Sequence, residues 1–327
     1  MTDTLRWGIL GTGGIAHSFT SDLGVIGATV QAVGSRTQES ADAFAAEFGI
    51  PTAHGSYEAL AADPDVDAIY VSTPHPFHAE NALLALEGGK HVLVEKPFTL
   101  NANEARDVVE RADAKGLVVL EAMWSRFLPH FARIRQIIAD GTLGEVRALI
   151  ADHDQKLPTD PKHRLQNPDL GGGALLDLGI YPVSFAWDLF DKPASIHAIS
   201  TPTPTGVDQQ TAIILGYESG QQALLHTALD ARGPGTAVIV GTEARIEIAP
   251  TWYFPTSFEV IGPDDTVLES FDGSVEGRGM YFQAQELERL VREGHRVSPL
   301  LSPRQTIGIM ETLDEIRAQI GLTYPSE

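Results

Sequence analysis

The sequence predicts a doubly wound α/β domain followed by an α+β domain built on an open, mainly antiparallel sheet. Three observations carry this. The chain has 327 residues, more than one hydrophobic core usually organises. Its first third alternates short runs of Val, Ile and Leu with amphipathic helical segments, the pattern of a parallel sheet covered on both faces. After about residue 122 the texture changes to strands joined by Gly and Pro turns. The expected division is therefore 1–122 and 123–327.

Taken in order, the strand-like runs of the first part are 5–10, 28–34, 66–73, 90–96 and 117–122. Helical patterns lie between them near 14–24, 38–48, 56–62, 77–89 and 101–115. In the second part a helix, LPHFARIRQIIADG, leads to a strand near 145–153 and then to a loop rich in Pro and Asp, 157–169. An apolar helix containing Tyr181 follows. From 194 to 271 the chain reads as strands, with TAIILGYESGQQALLHTAL forming a hairpin around Ser219 and Gly220. Helices near 279–293 and 303–320 close the sequence.

Composition narrows the function classes. Apolar residues make up 43% of the chain, enough for substantial cores. A net charge of −21 disfavours nucleic acid and anionic membranes as partners. The chain has no cysteine, which removes disulfides, thiol catalysis and thiolate metal sites. No basic leader precedes an apolar region in MTDTLRWGILGTGG, and no apolar run is long enough for a bilayer span, so a cytoplasmic protein is expected.

WGILGTGGIA places Gly11, Gly13 and Ala16 in a G-x-G-x-x-A pattern after the first strand and at the start of a helix. The glycines allow a tight turn and close approach of a pyrophosphate, and the helix N-terminus points N–H groups at it. The position after the second strand separates the two nicotinamide dinucleotides. An NAD site usually places a carboxylate there, whereas this sequence has Ser35 and Arg36, with no acid before Glu39. A guanidinium beside a hydroxyl suits a 2′-phosphate, so NADP is favoured and NAD stays open.

VSTPHPFHAE and LVEKPFTL lie at the C-terminal ends of strands, where open α/β sheets bind ligands. Lys96, His75 and His78 would face that crevice, although His78 reads equally as a support for the following helix. In GGGALLDLGIYP, Asp177 and Tyr181 are spaced i, i+4, on one helix face. Pro182 cannot donate to the Leu178 carbonyl, so a local distortion is expected beside the tyrosine. By itself the stretch reads as a core helix with a packed tyrosine. Trp124, Arg126 and Phe127 follow the domain junction and would stack on and hydrogen-bond a sugar or arene diol, or else pack between domains. In ADHDQ, His153 alternates with Asp152 and Asp154 and cannot converge with them on a metal, so no metal is expected.

Together GTGGIA, STPHPFH, EKP, LEAMWSRFLP, GGGALLDLGIYP, GVDQQTAIILGY and GTEARIEI resemble the Gfo/Idh/MocA oxidoreductases over nearly the whole chain. Within that family they are most similar to the dimeric dihydrodiol dehydrogenase and NADP-dependent D-xylose 1-dehydrogenase branch. His75 and Tyr181 stand where many members of the wider family have Asn and His, and both departures match that branch. The resemblance implies a Rossmann-like first domain and a homodimer formed through the open sheet of the second. It also implies Lys96 and Tyr181 as catalytic groups, with Asp177 binding or orienting substrate. Cofactor contacts are expected from Gly11, Gly13, Gly14, Ile15 and Ala16, from Ser35 and Arg36, and from Thr73, Pro74, His75, His78, Glu95 and Lys96. Substrate contacts are expected from Lys96, Trp124, Arg126, Phe127, Asp177 and Tyr181.

The chemistry agrees with that resemblance. A free tyrosine, with a pKa of about 10, is a poor base near neutrality, and a neighbouring ammonium stabilises the phenolate. The expected reaction transfers hydride between nicotinamide C4 and a carbinol of a small sugar, polyol or cyclic diol. Two rivals remain at this point: a hydrolase or lyase using tightly held dinucleotide transiently on a glycoside, and a cofactor-sensing protein without catalysis.

Overall fold

The computed structural model describes residues 4–327, so Met1–Asp3, the start of the stretch read above for a leader, lie outside the described residues. The chain divides into two compact units. One holds the chain up to Trp124 together with Glu276–Ile307, and the other holds Ser125–Val275 with Gly308–Glu327.

The first unit is a parallel sheet of β1 (Arg6–Leu10), β2 (Thr29–Gly34), β3 (Thr52–His54), β4 (Ala68–Val71), β5 (His91–Glu95) and β6 (Val119–Ala122). Their order is β3-β2-β1-β4-β5-β6. The chain runs outward from β1 to β3 and then returns to the other side of β1. That reversal opens a crevice at the strand C-termini, where ligands bind in such sheets. The connecting helices are α1 (Gly14–Val25), α2 (Gln38–Phe48), α3 (Tyr57–Ala61), α4 (His78–Glu87) and α5 (Ala102–Lys115). Thr37, Ser56 and Asn101 each accept a backbone N–H at the starts of α2, α3 and α5. Such caps are worth about 1 kcal/mol each. The expected elements match these closely, except that β3 was not anticipated. A three-residue strand is too short to show a period.

The division differs from the expected 1–122 and 123–327 in one segment. Residues 276–307, which include α8 (Tyr281–Glu293), belong with the first unit. Buried Asp22 on α1 accepts the N–H groups of Arg278 at 3.0 Å and Met280 at 2.6 Å. Trp7 on β1 donates its indole N–H to Glu288 at 2.9 Å, and Thr306 donates to Glu121 at 2.9 Å. These polar anchors are far apart in sequence, so no local pattern announces them.

The second unit is organised on one sheet: β7 (Val146–Asp154), β8 (Ser195–Pro202), β9 (Asp208–Gly216), β10 (Gln222–Ala228), β11 (Ala237–Gly241), β12 (Arg245–Ile248), β13 (Ser257–Ile261) and β14 (Val267–Asp272). The order is β14-β13-β12-β11-β7-β10-β9-β8, antiparallel apart from the parallel β7–β10 pair. Alternation along the strands separates two faces. Leu149, Ala151, Ile213, Leu215, Ala223, Leu225 and Ile239 are buried on one. The other face leaves Ile150, Ile199, Ile214 and Leu224 exposed. α6 (Pro129–Ala139) and α7 (Ile180–Phe190) belong to this unit. α7 is buried for most of its length, and its Trp187 donates to Thr312 at 3.0 Å. Among the described residues no helix is long and apolar enough to cross a membrane.

Candidate active site

The first unit presents an anion-ready turn. Gly11 has φ 105°, a value L side chains rarely adopt, and a Cβ there would lie 2.9 Å from the Ser72 hydroxyl. Its N–H donates to the Gly34 carbonyl at 3.0 Å, tying the turn to β2. α1 begins after Gly13 with no side-chain acceptor at its N-terminus and no acid in its first turn. A Cβ built at Gly13 or Gly14 meets nothing within 4 Å. The N–H groups of Gly14, Ile15 and Ala16 therefore sit at the positive end of the helix, beside open space. These residues fit a dinucleotide pyrophosphate.

Ser35 follows β2 directly. Its N–H donates to the His54 carbonyl at 3.1 Å, and its hydroxyl lies 3.3 Å from that of Thr12, a partner the sequence reading missed. Arg36 is exposed. Burial pushes the Tyr57 phenol up, and the Arg36 guanidinium nearby works in the opposite direction. Glu39 lies in the first turn of α2, exposed. The ribose corner thus carries a cation and a hydroxyl, and the donor set fits a 2′-phosphate.

The exits of β4 and β5 hold the other expected residues of this unit. Thr73 accepts from Asn81 at 3.2 Å, and His75 is buried beside His78, with ring centroids 5.7 Å apart. The two ring nitrogens of His78 each face a backbone carbonyl, and the neutral ring donates to one of them. Nδ1 lies 2.7 Å from the Pro97 carbonyl and Nε2 lies 2.7 Å from the Thr73 carbonyl. Burial drives this imidazole down to about 4. Through these contacts His78 links the segments that follow β4 and β5, which favours the supporting role of the two expected for it. Glu95 is buried, accepts the Tyr70 hydroxyl, and accepts the Lys96 backbone N–H at 3.1 Å. The following peptide, Lys96–Pro97, is cis.

Arg126 departs from expectation. Its side chain is 1% exposed and paired with Asp188 at 3.1 Å, and it donates to the Ser184 carbonyl at 2.9 Å. Arg135 joins the same carboxylate at 2.9 Å. A guanidinium held this way ties the segment after β6 to α7 and is not displayed to a substrate. Trp124 is buried under the Arg278 guanidinium, 5.8 Å from the ring centroid, and Phe127 is buried as well.

The tyrosine stretch is shaped by its neighbours. A Cβ on Gly172 would lie within 3 Å of three carbonyl oxygens, those of Arg164, Leu165 and Asn167. Gly173 has φ 118°. The helix then starts at Ala174 and runs through a π turn, Leu175–Gly179, before α7. This is the distortion expected from Pro182, and its cause is visible at Leu178. The carbonyl that Pro182 cannot serve lies 3.1 Å from His153 Nδ1. Gln155 lies 2.8 Å from His153 Nε2 through its amide nitrogen. One assignment satisfies both contacts: His153 donates from Nδ1 and accepts at Nε2.

His153 and Tyr253 flank Tyr181. Their ring centroids are 4.9 Å and 5.4 Å from that of Tyr181, and they stack on each other at 3.6 Å. Gln155 donates to the Tyr253 hydroxyl at 3.2 Å. The alternation argument that took His153 away from Asp152 and Asp154 holds, and it sends His153 to the face that carries Tyr181. Among the described residues no group of His, Asp and Glu is arranged to hold a metal.

Asp177 is nearly buried and ion-paired with half-exposed Arg164, at 3.2 Å and 3.3 Å from the two guanidinium nitrogens. Arg164 was not singled out from sequence. It sits in the Pro- and Asp-rich loop beside Lys162 and His163, where nothing local set it apart. Lys96 and Asp177 with Tyr181 belong to different units, so each is placed within its own.

The chain resembles known proteins over nearly its whole length. Residues 5–123 match the oxidoreductase family with an NAD-binding Rossmann fold, and residues 131–247 match the GFO/IDH/MocA C-terminal domain. The chain is 36% identical to a trans-1,2-dihydrobenzene-1,2-diol dehydrogenase of Mus musculus, covering 99% of both chains. It is also 36% identical to a D-xylose 1-dehydrogenase (NADP(+)) of Hypocrea jecorina, covering 98% of this chain and 93% of that one. Among solved structures, an aldose-aldose oxidoreductase from Caulobacter crescentus superposes with a TM-score of 0.87 at 24% identity, covering 97% of each chain. A 3-ketoreductase from Actinomadura kijaniata, solved with NADP and TDP-benzene, gives 0.85 at 24% identity over 97% of this chain and 98% of that one.

Proposed function

The chain belongs to the Gfo/Idh/MocA oxidoreductase family, and from that premise we propose that it is an NADP-dependent dehydrogenase of a small sugar, polyol or cyclic diol. The observation that carries the reading is the near full-length likeness to dihydrodiol and xylose dehydrogenases, together with a ribose corner bearing Ser35 and Arg36 in place of a carboxylate. The hydrolase or lyase alternative has no support among these relatives, which are named as dehydrogenases.

When bound, NADP supplies nicotinamide C4 as the hydride acceptor. The chain supplies the rest. Gly11, Gly13 and the first N–H groups of α1 hold the pyrophosphate, and Arg36 with Ser35 holds the 2′-phosphate. Tyr181, as phenolate, would take the hydroxyl proton as the carbinol C–H bond breaks and the carbonyl forms, the bound cofactor being the acceptor of the hydride. The Lys96 ammonium stabilises the phenolate and donates to the developing carbonyl oxygen. Asp177, steadied by Arg164, accepts a hydrogen bond from a neighbouring substrate hydroxyl.

Purified protein supplied with NADP and a panel of pentoses, hexoses and trans-dihydrodiols is expected to accumulate reduced nicotinamide with at least one of them. No reduction across the panel, or product formed without it, would count against the reading.

The reading includes a cytoplasmic homodimer joined through the open face of the second unit's sheet. What supports the dimer is an apolar trough of about 680 Å³ lined by Ile150, Ile199, Ile214, Leu224 and Val238. Ile199 is 76% exposed and Ile214 50%. A patch of this kind marks a protein contact, and self-association is the occupant that matches the family resemblance. Ile199→Glu is expected to convert a dimer to monomers in sedimentation or light scattering. A wild-type protein that is monomeric at micromolar concentration would refute this part.

A further inference from the structure

Asp208, the first residue of β9, is buried and lies far in sequence from the tyrosine helix. Its Oδ2 accepts the Leu175 N–H at 2.7 Å and the Thr211 hydroxyl at 3.0 Å. We propose that Asp208 is a positioning residue for the reaction, pinning the start of the helix that carries Asp177 and Tyr181. The inference rests on the reading of those two residues as working groups.

The local sequence explains why a remote carboxylate is needed. A helix is normally capped by the side chain just before it, which accepts one of the first N–H groups. Gly173 occupies that place and has no side chain, and a Cβ built on it would collide with Asp208 Oδ1. The glycine leaves the cap empty and the Asp208 carboxyl fills the space. A carboxylate there also faces the positive end of the helix. Burial pushes this carboxyl up to about 6, so the fold keeps an acid in a place that disfavours its charge.

A second tie holds the same segment. Tyr324, in the C-terminal tail, donates its hydroxyl to the Gly172 carbonyl at 2.7 Å. Its ring lies under Arg317, 5.1 Å from the guanidinium, and Arg317 is paired with Glu327 at 2.7 Å and Asp314 at 2.8 Å. The glycine run is therefore clamped by β9 on the N–H side of the helix start and by the tail at Gly172. Asp177 follows three residues after Ala174, and Tyr181 one turn further. An error of about 1 Å in such groups can cost 10²-fold in rate, so a fixed helix start matters to turnover.

The test combines amide hydrogen exchange over residues 172–185 with steady-state kinetics on the full chain. Asp208→Ala is expected to speed exchange there by about tenfold to a hundredfold, the loss of one charge-assisted hydrogen bond. It should also lower kcat by about tenfold or more, leaving the NADP dissociation constant unchanged. Asp208→Asn keeps an acceptor oxygen and is expected to restore most of both. If Asp208→Ala does not fold, Tyr324→Phe, which removes only the Gly172 contact, is expected to give the same two changes at smaller size. Unchanged exchange in these variants overturns the proposal, as does faster exchange with wild-type kcat. Tyr181→Phe run alongside separates the other failure. Full turnover in that variant overturns the proton-transfer reading itself, and with it the catalytic part of this inference, while the exchange data still report on the pin.

Discussion

Tyr181→Phe is expected to lower turnover by about 10²–10⁴-fold, the usual worth of a positioned acid or base, while NADP still binds. The substitution removes one oxygen and leaves the ring in place. His153 and Tyr253 pack against that ring at 4.9 Å and 5.4 Å, and phenylalanine keeps both contacts. The loss would therefore report chemistry and not collapse of the helix. Lys96→Met should produce a loss of similar size for a different reason. Without the ammonium the phenolate is harder to form, so turnover of Lys96→Met is expected to recover in part as pH rises. Turnover in Tyr181→Phe within a few-fold of wild type would end the proposal for this residue. A Lys96→Met rate that stays flat with pH would leave lysine without its assigned work.

Arg36→Ala is the second large expectation. A charge-assisted hydrogen bond contributes about 1.5–3 kcal/mol, so the NADP dissociation constant should rise about 10–10²-fold. The constant for NAD should change little, because NAD has no 2′-phosphate for the guanidinium to meet. Arg36→Glu should go further, repelling the phosphate and accepting a ribose hydroxyl, and so reverse the preference. Arg36 is exposed and Thr37 caps α2 independently, so neither change is expected to disturb the fold. Equal loss for both dinucleotides would place Arg36 outside the cofactor corner.

The elements of the first unit were legible because their signals are local. Glycine spacing after β1 and the alternation of apolar runs with helical patterns are read within a few residues. The same holds for Pro182, whose missing N–H foretold the irregular turn. The structure adds that His153 from β7 faces the stranded Leu178 carbonyl. What escaped was long-range. The return of 276–307 to the first unit depends on Asp22 reaching Arg278 and Met280. Asp208 capping Leu175 and Arg164 meeting Asp177 are likewise contacts between distant residues. Arg126 was misread because a guanidinium near a domain junction looks like a substrate clamp, whereas Asp188 and Ser184 take it into the core. His78 was left between two readings, and its contacts with two carbonyls come from residues the local sequence does not pair with it.

The central claim is hydride transfer from a carbinol to NADP, and isotope transfer tests it most directly. The protein is incubated with NADP and a substrate that turns over, deuterated at the reacting carbinol carbon, and the reduced cofactor is analysed by mass spectrometry. The account predicts one deuterium in each reduced nicotinamide formed, with the label lost in Tyr181→Phe only in proportion to the lost turnover. Product that forms with no label in the cofactor would contradict it.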